Sequence, residues 1–288
     1  MRELGLEGAE LVGKGFFSNV YRLNDEQIVK VFIRDPAPEV VNAEWRKARY
    51  ASLMGAPAAV TYDVVRVEGK YGLVLENFPG GTLGSYVRKD PTNRDAYIRE
   101  FIRTLRAFNN TEVPANYCAQ LPDARALSLR LAEKLRSRLT PEEYAELSAL
   151  LKALPEEKHL IHGDIHLDNM LYDGRQAIVI DMDTLAVGPV ILELAGLYSA
   201  YVGFNEYEPG DSLRFHHLST PTAAAIFYST YKEYYGNLAE EEQEKTWAEL
   251  RKLAYFHMMV WAGENAPEDE GMFEFFRGRF DGVNRPML

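Results

Sequence analysis

The segment Leu160–Asp183, LIHGDIHLDNMLYDGRQAIVIDMD, constrains this chain more than any other stretch. Asp173-Gly174 stands between two short apolar runs, the signal for a β-hairpin closed by a two-residue turn. That register puts Tyr172 opposite Arg175 and Asn169 opposite Ile178, and its extension brings Asp181 near His166. The open end of the hairpin would then gather Asp164, Asn169 and Asp181, which are distant in sequence. In the second strand Val179, Asp181 and Asp183 share one face, with the two carboxylates about 7 Å apart at the usual rise per residue.

Two acids and an amide oxygen at the end of a buried strand suit Mg²⁺, which takes hard oxygen ligands and keeps waters and substrate phosphates in its shell. Asp164, five residues before Asn169, is then free to hold and deprotonate an acceptor hydroxyl beside the metal. Two other readings compete. The acids are solvated residues beside an ordinary turn, or His162, Asp164, His166 and Asp168 are direct ligands of a metal-dependent hydrolase. The second leaves the N-terminal signals unexplained.

Those signals begin with VGKGFFSNVY, residues 12–21. Gly13 and Gly15, with Ser18 in the third position, let backbone amides approach phosphate oxygens without a β-carbon in the way. A β-turn with a bulge is the alternative. Further on, Lys30 shares its strand face with Ile28 and Phe32, so an ammonium is held over an apolar surface and requires an anionic partner. The following helix offers Glu44, with Glu39 as second choice, and such a pair orients a lysine toward nucleotide phosphates.

Around these motifs the chain divides in two. Strand-like runs at Glu10–Val12, Asn19–Leu23, Ile28–Ile33, Thr61–Val67 and Tyr71–Glu76, with one helix at Glu39–Gly55, make a small N-terminal sheet over residues 1–80. A Pro-Gly-Gly cluster makes residues 76–82 a linker. Residues 83–288 are mainly helical, with helices at Thr92–Asn109, Ala124–Leu139, Pro141–Leu154, Pro189–Phe204, Pro221–Tyr235, Glu240–Glu264 and Glu268–Phe280. Thr140 is the expected N-cap of the third, before a proline at its first position. The fold class is α+β.

Charge and cysteine content narrow the partners. The formal net charge is −11, and residues 186–288 alone carry 16 acidic against 8 basic side chains, so a nucleic-acid partner is not expected. Cys118 is the single cysteine, and no basic segment followed by an apolar run opens the sequence, which points to a reducing cytoplasm. Leu185–Leu192 and Leu194–Phe204 are apolar but interrupted by Glu193, too short for a bilayer span.

Together, Gly13 and Gly15, Lys30, Glu44, His162-Gly163-Asp164-x-His166-x-x-Asn169 and Ile180-Asp181-x-Asp183 resemble the aminoglycoside phosphotransferase and choline kinase-like family, relatives of protein kinases. Gly163 stands where protein kinases carry arginine, and Asp181-Met182-Asp183 where they carry D-F-G, which favours a small-molecule kinase. The resemblance implies a bilobal protein-kinase-like fold, with an N-terminal antiparallel sheet plus one helix and a larger, mainly helical C-terminal lobe. It implies Asp164 as catalytic base, Asn169 and Asp181 as Mg²⁺ ligands, and Lys30 on the α/β-phosphates of ATP, with GTP an open alternative. Glu44 would pair with Lys30, residues 13–18 would cover the triphosphate, and adenine would bond to backbone between Glu76 and Phe78. His162 and His166 would brace the loop, while Asp183 would touch a second metal or cap the segment. Ser18 replaces the last glycine of the protein-kinase loop, and Glu193 replaces a usual aspartate.

The partner implied is a small-molecule hydroxyl acceptor. The acidic, aromatic-rich C-terminal third points to an aminoglycoside or an aminocyclitol-containing, sugar-like molecule, with choline, homoserine or another simple alcohol as the alternative. A non-catalytic nucleotide-binding module is the rival from another class, although neither base, lysine nor metal ligand is missing. Tyr198, Tyr201, Phe204, Trp261 and Glu264 are candidates to line the acceptor site, although for each taken separately ordinary core packing is the favoured role. For His216, His217 and His257, packing or surface hydrogen bonding is the expected role.

Overall fold

The computed structural model describes residues 1–15 and 17–283. In chain order the N-terminal portion runs β1 (Arg2–Glu3), β2 (Glu10–Lys14), β3 (Ser18–Arg22), β4 (Gln27–Phe32), α1 (Pro38–Leu53), β5 (Thr61–Val67) and β6 (Lys70–Glu76). The strands form one six-stranded sheet in the order β1-β5-β6-β4-β3-β2. All neighbours are antiparallel except β1, which joins the edge parallel to β5, so the sheet is mixed rather than wholly antiparallel as expected. Nothing in the exposed pair Arg2-Glu3 patterns as a strand.

Alternation along β4 assigns its residues to two sides. Val29 and Val31 pack with Val65, Val67 and Val74 on one face, while Phe32 joins Val41, Tyr71 and Leu73 beneath α1 on the other. Lys30 lies on the α1 side with Phe32. In α1, Val41, Glu44, Ala48 and Ala51 are the buried positions, and this helical spacing turns Glu44 inward toward the sheet. Gly55, at φ +79°, ends the segment within the expected boundary.

The remainder comprises β7 (Gly81–Thr82), α2 (Leu83–Lys89), α3 (Arg94–Asn109), α4 (Ala115–Cys118), α5 (Ala124–Leu135), α6 (Pro141–Ala153), β8 (His159–Ile161), β9 (Met170–Tyr172), β10 (Ala177–Val179) and β11 (Ala186–Gly188). Then follow α7 (Val190–Tyr198), a π-helical turn (Ser199–Gly203), α8 (Phe204–Tyr207), α9 (Asp211–His216), α10 (Thr220–Tyr235), α11 (Glu240–Asn265) and α12 (Glu270–Asp281). Thr140 caps α6 in a full capping box with Glu143, with Pro141 at the first position. The apolar run interrupted by Glu193 is α7, a core helix with Ile191, Leu194, Ala195 and Leu197 all buried. No helix among the described residues is long and apolar enough to cross a membrane.

Two expectations are corrected here. Residues 81–82 are a strand that pairs with β9, so this end of the proposed linker belongs to a three-stranded sheet of the larger lobe. The hairpin closes through four residues rather than two, with Tyr172 opposite Ala177 and Leu171 opposite Ile178. The Asp173 carboxylate accepts the amides of Arg175 and Gln176 at 2.7 and 2.9 Å, which stabilises the wider turn. The pairing thus slips by two residues, leaving the side chains of the paired residues 170–172 and 177–179 on their expected faces.

Candidate active site

Lys30 is the junction of the two lobes. Its Nζ donates to Glu44 Oε1 at 2.8 Å and to Asp181 Oδ1 at 2.7 Å. Burial alone would lower the lysine, but the two carboxylates outweigh it and hold the ammonium well above its ordinary range. Burial also raises the Glu44 carboxyl, against the opposing pull of Lys30. Glu39, the second choice, lies in the first turn of α1 and is exposed.

The carboxylate spacing expected along the second strand is not what the fold provides. The strand β10 ends at Val179, and Asp181 adopts a left-handed backbone at φ +68°. Such a conformation costs a non-glycine residue about 1–3 kcal/mol and is stored where function demands it. Here it takes Asp181 out of line with Val179 and Asp183, and its carboxylate bonds Lys30 while its charge still acts on His166. A second α1 cation reaches the same segment, because Lys47 Nζ donates to the Asp183 carbonyl at 2.5 Å. The spacing of Lys47, three after Glu44, was the signal for a shared helix face.

The loop between β8 and β9 is supported from below by Glu193. This buried carboxylate accepts the His162 amide at 2.6 Å, the Gly163 amide at 3.0 Å and the Asn109 side chain at 3.3 Å. Its extra methylene relative to aspartate therefore still reaches the loop. His162 Nε2 donates to the Ile180 carbonyl at 2.9 Å, which leaves Nδ1 to accept the Asp164 amide at 3.3 Å. Gly163 has φ +84°, and a β-carbon there would stand 3.2 Å from Thr184 Cβ, so an arginine at this position has no room.

Asp164 itself is exposed at the floor of the cleft. Surrounding protein partly desolvates its carboxyl and pushes it upward; His162 lowers it and Asp181 raises it. Asn169 donates to the Asp164 carbonyl at 2.8 Å. Asp168 is gripped by Arg88 at 2.9 and 3.0 Å and by Thr82 at 2.6 Å. His166 Nδ1 accepts the Asp168 amide at 3.2 Å, and burial takes the imidazole down to about 4.

At the N-terminal edge, the register shift between Leu11 and Gly13 makes the glycine segment a bulged hairpin. The Gly15 amide donates to the Ser18 carbonyl at 2.8 Å, Ser18 is buried and Phe17 is exposed at the tip; Phe16 lies outside the described residues. At the linker, the Glu76 amide bonds the Val60 carbonyl and the Asn77 amide bonds that of Glu26, so of the amides at residues 76–78 these two are engaged by protein.

A cavity of about 440 Å³ opens beside Asp164. Phe204 and Trp261, edge to face at 5.0 Å, line it, as do Glu208, Asp211, Arg214 and Asp269. The π-helical turn forms part of the wall through Ser199 and Ala200. Of the residues nominated from sequence, Tyr198 and Tyr201 instead lie in the core, bonded to Glu206 and to the Leu167 amide. Glu264 pairs with Lys134 at 3.2 Å on the surface. His216 and His257, expected to be packing residues, both line the cavity. No sequence motif marks them, because the helices carrying them converge only in the fold.

The chain matches the phosphotransferase enzyme family over residues 8–253. It belongs to that family. Among solved structures it is similar to a thermostable variant of aminoglycoside phosphotransferase APH(4)-Ia in ternary complex with ADP and hygromycin B, at 13% identity over 96% of this chain and 92% of that one, with a TM-score of 0.61. A choline/ethanolamine kinase family protein from Mesorhizobium loti gives 13% identity, 97% and 88% coverage and a TM-score of 0.61. The gentamicin complex of APH(2'')-IIa gives 14% identity, 94% and 90% coverage and a TM-score of 0.55. Comparison with curated protein sequences gave no match. The architecture of this phosphotransferase is thus the bilobal, protein-kinase-like α+β fold, helical in its greater part.

The donor set of the phosphotransferase fits a hard cation that relies on few protein ligands. Asn169 commits its amide nitrogen to the Asp164 carbonyl, so its oxygen is the atom left for a metal, and Asp181 adds a carboxylate. Among the described residues no group of three His, Cys, Asp or Glu side chains is arranged to hold a metal ion. The hydrolase ligand set fails on the same geometry, since both His162 nitrogens are engaged and Asp168 is held by Arg88.

Proposed function

We propose that this phosphotransferase moves the γ-phosphate of ATP to a hydroxyl of an aminoglycoside- or aminocyclitol-like acceptor held in the cavity beside Asp164. One observation carries the reading: Asp164 lines that cavity and also lies within the electrostatic reach of Asp181, which is bonded to Lys30. The groups suited to phosphate and to acceptor therefore meet at one carboxylate.

In this reading residues 1–80 form the nucleotide lobe. Lys30, oriented by Glu44, binds the α/β-phosphates; Gly13, Gly15 and Ser18 shape the loop over the triphosphate, and residues 76–78, from Glu76 to Phe78, face the adenine. Asn169 and Asp181 hold Mg²⁺, which when bound neutralises phosphate charge. Asp164 takes the proton of the acceptor hydroxyl, His162 and His166 brace its loop, and Asp183 stands behind them. Phosphoryl transfer demands mainly positioning and charge neutralisation of the protein, and both are provided for.

The acceptor class rests on the cavity wall. Asp164, Glu208, Asp211 and Asp269 set four carboxylates against the single guanidinium of Arg214, with Phe204 and Trp261 as apolar surface. Such a lining suits an amine-bearing, sugar-like ring, in keeping with the hygromycin B and gentamicin bound by the solved relatives. A simple amino alcohol is the second reading, favoured by the likeness to the choline/ethanolamine kinase family protein.

The test is Mg²⁺-dependent ADP release from ATP, and from GTP in parallel, across hygromycin B, gentamicin, ethanolamine, choline and homoserine, with Asp164→Asn as control. Release stimulated by an amine-bearing ring and lowered about 10²–10⁴-fold in the control is the expected outcome. Stimulation by choline or homoserine alone would overturn the acceptor class, and absence of nucleotide binding would overturn the reading as a whole.

A further inference from the structure

His257 is an imidazole of the cavity whose hydrogen-bond partner bears on its protonation pattern. It projects from α11, and its Nδ1 lies 3.3 Å from Ser199 Oγ. Ser199 has a single hydroxyl proton, whose nearest acceptor is the Ala195 carbonyl at 2.9 Å; the Ala254 carbonyl and His257 Nδ1 each lie farther, at 3.3 Å. With that proton on the nearer Ala195 carbonyl the hydroxyl accepts from the ring, the arrangement in which Nδ1 carries the hydrogen and Nε2 a lone pair. Burial favours the neutral ring, although Asp164 opposes it. His166 and His216, the other imidazoles of the wall, meet each other at 5.2 Å with their rings tilted by 55°. His257 lines the same cavity as Asp164, whose charge acts on it.

We propose that His257 Nε2 binds the acceptor, taking a hydrogen bond from a second O–H or N–H group of the molecule whose hydroxyl is offered to Asp164. This rests on the phosphotransferase reading above and deepens it. A group with a bare lone pair recognises donors, so the acceptor class is a diol or an amino alcohol with at least one donor beyond the reacting hydroxyl. Choline, whose ammonium bears no N–H, offers none. Ser199 is a positioning residue in this scheme, because its hydroxyl sets the tautomer.

His257→Asn tests it. The shorter amide can still reach toward Ser199 but has no atom where Nε2 stands. With whichever of hygromycin B, gentamicin or ethanolamine supports turnover, the KM for the acceptor should rise about 3- to 10-fold, the worth of one neutral hydrogen bond. The KM for ATP should stay within about twofold, a split that a merely structural loss would not give. His257→Gln, whose longer amide brings an oxygen near the Nε2 position, should recover part of the acceptor affinity. Should His257→Asn fold poorly, Ser199→Ala keeps the ring and should raise the acceptor KM by releasing the tautomer. An unchanged acceptor KM, an equal loss in both KM values, or a wild-type enzyme that takes choline as its sole acceptor would each overturn the proposal. A wild-type chain that binds no Mg²⁺·ATP removes the underlying reading instead, and is recognised before any variant is made.

Discussion

The Lys30 ammonium lies 2.7 Å from Asp181 Oδ1, so a cation of the N-terminal sheet is bonded across the cleft to an anion of the larger lobe. Before nucleotide enters, the lysine charge is met by this contact and by Glu44. Phosphate must therefore compete with Asp181 for the lysine.

Replacing Lys30 by methionine, which keeps the stem over Phe32 and removes the charge, should lower kcat/KM by about 10²–10³-fold, the cost of deleting one preorganised electrostatic group. Steady-state kinetics at saturating acceptor, with ATP varied, reads this directly. A Lys30→Met enzyme within threefold of wild type would show that another cation, with Lys47 beside Asp183 the candidate, serves the phosphates.

Glu193 is the second charge on which the loop depends. In Glu193→Gln one amide oxygen must serve donors that two carboxylate oxygens served, and its NH₂ group faces an N–H. Leaving a buried backbone donor unmet should destabilise the fold by about 1–3 kcal/mol. Denaturant unfolding followed by circular dichroism gives the number, and turnover should fall with it because Gly163 precedes the proposed base. Equal stability of wild type and variant would mean that water replaces the lost bond.

Much of this was legible in the chain. The N-terminal strands, α1 and the Lys30–Glu44 pair follow from periodicities of 2 and 3.6 residues, since burial on one face acts on each residue independently of its distant partners. The hairpin was legible in its faces but not in its register, because the Asp173 side chain, rather than the Asp-Gly backbone, stabilises the turn. The helix α2 was hidden by its shortness and by Gly84, and β1 by two exposed residues. His257, Lys47 and Asp211 carry no motif; their placement depends on how α1, α9 and α11 converge, which is a tertiary property.

Gly84 offers a test of that hidden helix. Glycine to alanine within a helix ordinarily stabilises by about 1 kcal/mol. In α2 the added methyl would stand 2.3 Å from Asp168 Oδ1 and 2.8 Å from Arg88 Nη1. Asp168 is a short side chain held by Arg88 and Thr82, so it cannot move aside without breaking those bonds. Gly84→Ala should therefore destabilise, by about 1–3 kcal/mol, the usual cost of overpacking. A thermal melt at or above that of wild type would show that the grip on Asp168 is dispensable.

The cavity also carries its own pH dependence. Burial first, then the neighbouring Glu208, raise the Asp211 carboxyl to about 6, while Arg214 opposes them. A carboxyl raised on folding favours the protonated native state, so its contribution to stability is present below the unfolded value and fades as pH rises through about 6. Its contribution to binding runs the other way. The negative charge that attracts an amine-bearing acceptor appears only as Asp211 loses its proton, so the KM for a cationic acceptor should fall between pH 5.5 and 7, by about two- to fivefold for one partly exposed charge. Asp211→Asn should flatten that profile and hold the KM near its low-pH value, while a neutral polyol acceptor should show no such slope with either enzyme. Kinetics across this range with gentamicin and a neutral sugar alcohol as the pair of probes separates the outcomes. An equal slope for both acceptors would place the titrating group at the chemical step rather than in the cavity wall.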